Sequence, residues 1–172
     1  MLFLGLLLAL EAGAAPQGPI KLGVMFVMSG PMGGYGKHGK QAVELAVEEI
    51  NAEGGILGRK VVAIFADDEM KVDKGVEIAK KFITQDKVDF IIGPTSSAVA
   101  LALADLVEQQ KKILVLTQSA TNSLTDAKFN PYLFSTLSNA MMHSRAGAYL
   151  MANKSYKRWM CVGPGYSYGQ ES

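Results

Sequence analysis

Val88-Asp89-Phe90-Ile91-Ile92-Gly93-Pro94-Thr95-Ser96-Ser97 is the stretch around which the chain is organised. Its first half is a short apolar run, rich in β-branched and aromatic residues, which reads as a buried strand. Gly93-Pro94 ends that strand. Ala98-Val99-Ala100-Leu101-Ala102-Leu103-Ala104 then reads as a helix, with hydroxyls placed where an N-cap belongs. Strand, Gly-Pro turn and hydroxyl-rich helix start make a place with free N–H donors and a positive dipole end, suited to a carboxylate or phosphate. The plain alternative is an ordinary capped helix after a buried strand. Three other strand ends with similar equipment shift the balance towards a site.

Working outward, the 172 residues suggest one domain, or one domain and part of a second. Hydrophobic residues make up 49% and charged residues 19%, enough apolar material for a packed core. The net charge of +1 comes without a basic stripe or interleaved aromatics, so no nucleic-acid partner is expected. Cys161 is the only cysteine and sits in Trp159-Met160-Cys161-Val162, where a buried, inert thiol is expected. One Cys and two His without ligand spacing argue against a zinc site, and no cofactor is implied.

Met1 to Leu10 is almost wholly apolar and is followed by Ala12-Gly13-Ala14-Ala15. This has the core and the small-residue end of a signal peptide over residues 1–14, without a positive n-region, and it implies export to the periplasm. The run is too short to span a bilayer, which needs about 20 apolar residues.

Strands are expected at Ile20 to Met28, Val61 to Ala66, Ile113 to Leu116, Pro131 to Phe134 and Arg158 to Val162, besides the opening stretch. Helices are expected from Lys37 to Ala52, Val72 to Thr84, about Ser97 to Gln110, and Asn139 to Ala152. In the first helix Val43, Val47 and Ile50, with Ala42 and Ala46, share the inward face. In the second, Val76, Ala79, Phe82 and Ile83 point inward. Gly30, Gly33, Gly34 and Gly36 follow a strand, but the spacing is not that of a dinucleotide fingerprint, a Pro intervenes, and no P-loop Lys-Ser/Thr pair follows. Asp67-Asp68-Glu69 is either a cation site or an acidic loop over a strand end.

Alternating strands and helices imply a doubly wound α/β fold with a parallel sheet. Ligands of such sheets bind beyond the carboxyl ends of the strands. Those ends carry Ser29 to Gly36, Gly93 to Ser97, Thr117 to Thr121 and Pro164 to Tyr168. They offer hydroxyls, backbone N–H groups and tyrosines, but no nucleophile–base pair and no paired carboxylates. His38 is expected to be solvated, and His143 has no partner visible in the sequence. This is a binding inventory rather than an enzyme's.

The chain resembles the type I periplasmic solute-binding proteins of ABC transporters, the branched-chain amino-acid-binding group. The resemblance rests on Met28-Ser29-Gly30-Pro31 with Tyr35-Gly36, and on Ala46-Val47-Glu48-Glu49-Ile50-Asn51-Ala52-Glu53-Gly54-Gly55-Ile56-Leu57-Gly58-Arg59. Asp67-Asp68, Ile92-Gly93-Pro94 with Ser96-Ser97, Ser119-Ala120-Thr121, Leu124-Thr125, Asn130-Pro131-Tyr132 and Tyr168-Gly169 follow in the family's order.

It implies a two-lobed receptor that closes on its ligand, of which this chain is the N-terminal part. Residues 18–137 would form the first lobe and residues 138–172 the start of the second. Ser97, or Ser96, would meet the ligand's head group. Ser119 and Ala120 would offer main-chain groups, Thr121 its hydroxyl and N–H, Tyr35 a packing surface, and Tyr168 a contact from across the cleft. The ligand implied is a small carboxylate-bearing molecule such as a branched-chain amino acid, an amide or an aromatic acid, and the partner an ABC permease. The family's acid for a ligand amine lies in a part not present here. Thr117-Gln118-Ser119 departs from the usual Ser-Pro lead-in, and Pro164-Gly165 stands where an acidic pair is common. Two rival readings are the ligand-sensing domain of a receptor or regulator, and a nucleotide-dependent doubly wound enzyme.

Overall fold

The computed structural model describes residues 18–172; the expected signal peptide lies outside them. Five parallel strands form one sheet in the order β2-β1-β3-β4-β5. They are β1 (Ile20–Phe26), β2 (Val61–Asp67), β3 (Phe90–Ile92), β4 (Ile113–Leu116) and β5 (Leu133–Ser135). Helices α1 (Gly33–Ala52), α2 (Val72–Lys81) and α3 (Ser97–Gln109) connect the first four strands, so the fold is doubly wound α/β. A 3₁₀ turn, Asn122–Thr125, lies between β4 and β5; α4 (Ala140–Ala152) and α5 (Ser167–Glu171) follow the sheet.

The two faces are covered unequally. Met25, Ile91, Leu114 and Leu116 from the strands pack with Ala79, Val99, Leu103 and Val107 from α2 and α3, all buried. The other face receives α1, which rests on β1 and β2. Side-chain alternation makes this possible: the Met25 sulfur lies beside Gly75 of α2, and the Phe26 ring beside Gly39 of α1. The chain leaves α2 through a π-helical turn, Phe82–Asp86, which drops the buried Phe82 ring onto Gly23 in the middle of the sheet. A methyl group at Gly23 would lie 2.5 Å from that ring, so glycine is what admits the phenyl group there.

Asn51 couples a helix end to a strand start. Its Nδ2 donates to the Val61 carbonyl and its Oδ1 accepts from the Val61 N–H, each at 2.8 Å. The specific Glu-Glu-Ile-Asn-Ala-Glu-Gly-Gly segment is thus a clamp that sets β2 beside β1. Asn130 does similar work before β5, donating to the Ala104 carbonyl at 3.1 Å and accepting from the Tyr132 N–H at 3.0 Å.

Several expectations need correction. Helix α1 begins four residues early, at Gly33, because the buried Gly33 and Gly36 let the helix start lie directly on the backbone of Val27 and Met28. Its inward stripe is narrower than expected: Val43, Val47 and Ile50 are half-buried, but Ala42 and Ala46 are exposed. Methyl groups on the flanks of the stripe are too short to reach the sheet. Arg158 to Val162 forms no strand, and Trp159, Met160 and Val162 are exposed. A strand needs a neighbour for its N–H and C=O groups, and none lies alongside among the described residues. Cys161 is consequently exposed rather than buried. Among the described residues, no helix is long and apolar enough to cross a membrane.

Candidate ligand-binding site

The turns beyond β1, β3 and β4 are stitched together at the carboxyl edge of the sheet. The Val27 N–H donates to Thr95 Oγ1 at 3.2 Å, and the Thr95 hydroxyl donates to Gln118 Oε1 at 2.6 Å. Gln118 Nε2 donates onward to the Tyr35 carbonyl at 3.4 Å. Ser119 Oγ donates to the Pro94 carbonyl at 2.6 Å within the buried interior. Thr95 and Gln118 were not singled out from the sequence as site residues. Their role is to fix the loops, and polar residues directly beside the Gly-Pro turn are the signal that could have found them.

Ser96 occupies the N-cap of α3 with extended backbone, and its carbonyl accepts from the Ala100 N–H at 3.0 Å. Its hydroxyl makes no capping bond, contrary to the expectation from the sequence. Ser96 and Ser97 are both 2% exposed. Among the described residues neither hydroxyl is paired with a protein group, whereas Thr95, Ser119 and Thr121 around them are all engaged. The first N–H groups of α3 likewise have no intrahelical acceptor. Thr117 Oγ1, at the end of β4, is also buried without a partner. Free donors gathered at a helix start suit an anion.

The turn that holds Ala120 and Thr121 anchors the chain that follows it. The Ala120 carbonyl accepts from the Ala140 N–H at 2.7 Å, and Asn122 Oδ1 accepts from the Met141 N–H at 2.8 Å. The start of α4, capped by Asn139, is thereby docked on this turn. Thr121 Oγ1 donates to Glu171 Oε2 at 2.5 Å, so its hydroxyl is already engaged.

Three tyrosines, Tyr35, Tyr166 and Tyr168, lie near one another. Tyr35 is 61% exposed on the first turn of α1. Burial pushes the Tyr166 hydroxyl up from its ordinary pKa, and Tyr168 and Tyr35 nearby add to the shift. Tyr166 and Tyr168 lie with ring centroids 6.5 Å apart. His143 bridges two segments, with Nε2 2.5 Å from Ser138 Oγ and Nδ1 3.4 Å from the Tyr168 hydroxyl. The Tyr168 partner was invisible in the sequence because it reaches His143 from 25 residues away. His38 is exposed, as expected.

The acidic turn after β2 is structural. Burial opposes the Asp67 charge, but donors from Ser29, Met28 and Glu69 outweigh it and hold the carboxyl below its ordinary pKa. Asp68 is wholly buried; its Oδ1 accepts from the Met70 N–H at 2.9 Å and its Oδ2 has no partner. Burial pushes this carboxyl up, and the charge of Asp67 adds to the shift. No group of three or more His, Cys, Asp or Glu is placed to hold a metal ion among the described residues. A folded pKa raised above the unfolded one means that the native state binds the proton better. The penalty at Asp68 is therefore absent at low pH and appears as pH rises through the folded value. Asp68→Asn is expected to match or exceed the wild-type melting temperature at pH 7, with the advantage shrinking towards pH 4. Unfolding curves with a pH-independent gap would contradict this.

Two surface clefts lie elsewhere. One of about 430 Å³ sits between Ser29–Met32 and Glu69–Lys71, and one of about 360 Å³ sits beside β5 under Phe129 and Phe134. Neither is lined by Ser96, Ser97 or Thr121.

The chain belongs to the periplasmic binding protein family: the family model of that description matches residues 19–172. It is 31% identical over 151 residues to the Leu/Ile/Val-binding protein BraC3 of Rhizobium johnstonii, covering 88% of this chain and 41% of that protein. It is 30% identical over 158 residues to Leu/Ile/Val-binding protein homolog 3 of Brucella melitensis, covering 91% and 42%.

Among solved structures it is similar to a solute-binding protein of an ABC transporter from Rhodopseudomonas palustris BisB5 in complex with 3,4-dihydroxybenzoic acid. That match has a TM-score of 0.82 and 25% identity, over 89% of this chain and 41% of the other. It is also similar to a branched-chain amino acid transporter substrate-binding protein from Streptococcus pneumoniae in complex with isoleucine (TM-score 0.66, 28% identity, 71% and 34% covered). The chain thus spans well under half the length of the relatives it matches. Those relatives are binding proteins rather than enzymes.

Proposed function

We propose that this chain belongs to an extracytoplasmic solute receptor of an ABC importer, which captures a small carboxylate-bearing ligand and presents it to a permease in the inner membrane. Residues 18–137 are its first ligand-binding lobe, and the crossing near Leu137-Ser138 leads into residues 138–172, the start of a second. The ligand's carboxylate sits at the start of α3. There Ser97, with Ser96 beside it, supplies the hydroxyl, and the first N–H groups of the helix and its dipole supply the field. Ser119, Ala120 and Thr121 border the head group, while Tyr35 and Tyr168 close on its apolar part. Closure of the lobes is the state the permease reads. Export through the segment at residues 1–14 places the receptor in the periplasm.

The observation that carries this reading is the contrast among hydroxyls. Those of Thr95, Ser119 and Thr121 are engaged, whereas those of Ser96 and Ser97, two buried residues at a helix start, have no protein partner among the described residues. A hydroxyl with no protein partner is free to meet a bound carboxylate, and a hydrogen bond to a charged group contributes about 1.5–3 kcal/mol. Isoleucine and dihydroxybenzoate, carried by two structural relatives, are both carboxylates.

A thermal-shift screen tests the reading with isoleucine, leucine, 4-hydroxybenzoate, 3,4-dihydroxybenzoate, short amides, dicarboxylates and nucleotides. A ligand at a hundred times its Kd adds about 2.7 kcal/mol of stability, a clear rise in Tm. Stabilisation by one class of carboxylates is expected. A response to nucleotides alone would sink the proposal and favour the enzyme reading.

A further inference from the structure

Helix α1 begins without a side-chain cap, and no acidic residue stands in its first turn. Among the described residues, one side-chain hydrogen bond reaches its residues 33–39: Gln118 Nε2 donates to the Tyr35 carbonyl at 3.4 Å. The same amide lies over Gly39, where an added methyl group would stand 2.9 Å from Nε2. Tyr35 and Gly39 are one helical turn apart, so the Gln118 amide rests on a single spot of the α1 surface. Its other end is fixed too. Oε1 accepts from the Thr95 hydroxyl at 2.6 Å, and Thr95 Oγ1 in turn accepts from the Val27 N–H at 3.2 Å. Ser119, next in the chain, is tied to the Pro94 carbonyl at 2.6 Å. The Gln118 side chain therefore bridges two parts that the binding reading needs at a set spacing. One is the turn that runs directly into Ser96 and Ser97. The other is the helical turn that carries the exposed Tyr35, which lies near Tyr166.

We propose that Gln118 is a positioning residue for Tyr35: its amide ties the Tyr35 backbone to the turn before Ser96 and Ser97, and so sets how tightly a ligand that spans the ring and the free donors is held. The inference rests on the reading given above, in which the start of α3 takes the carboxylate and Tyr35 packs on the apolar part. Glutamine suits this work because one amide accepts at Oε1 and donates at Nε2, so a single side chain joins a hydroxyl to a carbonyl. A wall already held in place saves the cost of ordering it when the ligand binds.

A double-mutant cycle tests this, read as Kd by calorimetric titration of the full chain with isoleucine or 4-hydroxybenzoate, whichever binds. Gln118→Met keeps the length and bulk of the side chain and removes both hydrogen bonds. Tyr35→Ala removes the ring and leaves the backbone carbonyl. In the wild-type background Gln118→Met is expected to weaken binding about fivefold, the scale of one neutral hydrogen bond. In the Tyr35→Ala background it should weaken binding by less than about twofold, because no ring remains to be positioned. A purely structural role would give the same loss in both backgrounds, and that result overturns the inference. So does an unchanged Kd in Gln118→Met. An unchanged Kd in Tyr35→Ala also overturns it, since the ring would then not touch the ligand, while the carboxylate reading at α3 stands. Should Gln118→Met fail to fold, Gln118→Asn, one methylene too short to keep both bonds, goes through the same cycle with the same expectations. Wild type that binds neither acid removes the ligand reading on which the inference rests, and the inference falls with it.

Discussion

Gly93→Ala is expected to leave the chain unfolded or to lower its Tm by about 10 °C or more. Gly93 has φ +112°, a region that L side chains rarely adopt. A methyl group there would stand 1.9 Å from the Met25 carbonyl oxygen. That oxygen belongs to β1 in the centre of the sheet, and both neighbouring side chains, Met25 and Phe26, are buried on opposite faces. Neither the turn nor the strand can shift without opening one of the two packed layers. Backbone strain of about 1–2 kcal/mol combines with a clash that no rotamer can relieve, which puts the substitution among the most damaging single changes. At roughly 2–4 °C per kcal/mol for a chain of this size, a loss of about 4 kcal/mol gives the stated shift. Gly147→Ala is the control, since nothing lies within 4 Å of its added methyl group in α4. It should be neutral or raise Tm slightly, because alanine is the better helix former. Equal melting temperatures for the two variants would show that the close approach of the β3 turn to β1 does not matter.

Ser97→Ala is expected to weaken binding of the ligand found in the screen by about 10- to 100-fold while leaving the melting temperature of the free protein nearly unchanged. A hydrogen bond to a charged group contributes about 1.5–3 kcal/mol, which sets that range. Stability should hold because the hydroxyl has no protein partner among the described residues, so its removal breaks no internal bond. A methyl group fills nearly the same space in a residue that is already buried. Ser119→Ala should show the opposite balance. Its hydroxyl ties the turn after β4 to the Pro94 carbonyl, so stability should fall first. Calorimetric Kd values and melting curves for both variants separate the roles. An unchanged Kd for Ser97→Ala would remove the start of α3 from the site.

Most of the sheet was legible in the sequence because short apolar runs and helical spacing report burial directly. Strand β4 lies at Ile113–Leu116 and α3 at Ser97–Gln109, the bounds expected to within one residue. The segment from Arg158 to Val162 failed for a definable reason. Its apolar composition was that of a strand, but a strand also needs partners, and composition does not report them. The buried thiol expected at Cys161 fell with it.

At the candidate site, hydroxyls after strands marked turns that lie together at the carboxyl edge of the sheet, but their division of labour was hidden. Nothing in Thr95-Ser96-Ser97 says that the first hydroxyl is engaged by Gln118 and the other two remain free. The engagement of Thr121 by Glu171 crosses 50 residues, and no local pattern could reveal it. The same holds for the acidic turn, where the burial of Asp68 rather than the run of acids decides which carboxyl titrates high.

The central claim is that the start of α3 reads a ligand's carboxylate, and calorimetric titration of the full chain with an acid and its methyl ester tests it most directly. The pairs are isoleucine with isoleucine methyl ester and 4-hydroxybenzoate with methyl 4-hydroxybenzoate. The account predicts that at least one acid binds and that its ester binds about 100-fold more weakly, or not measurably, because the charge that the helix start and Ser97 stabilise is gone. An ester that binds as well as its acid would contradict it.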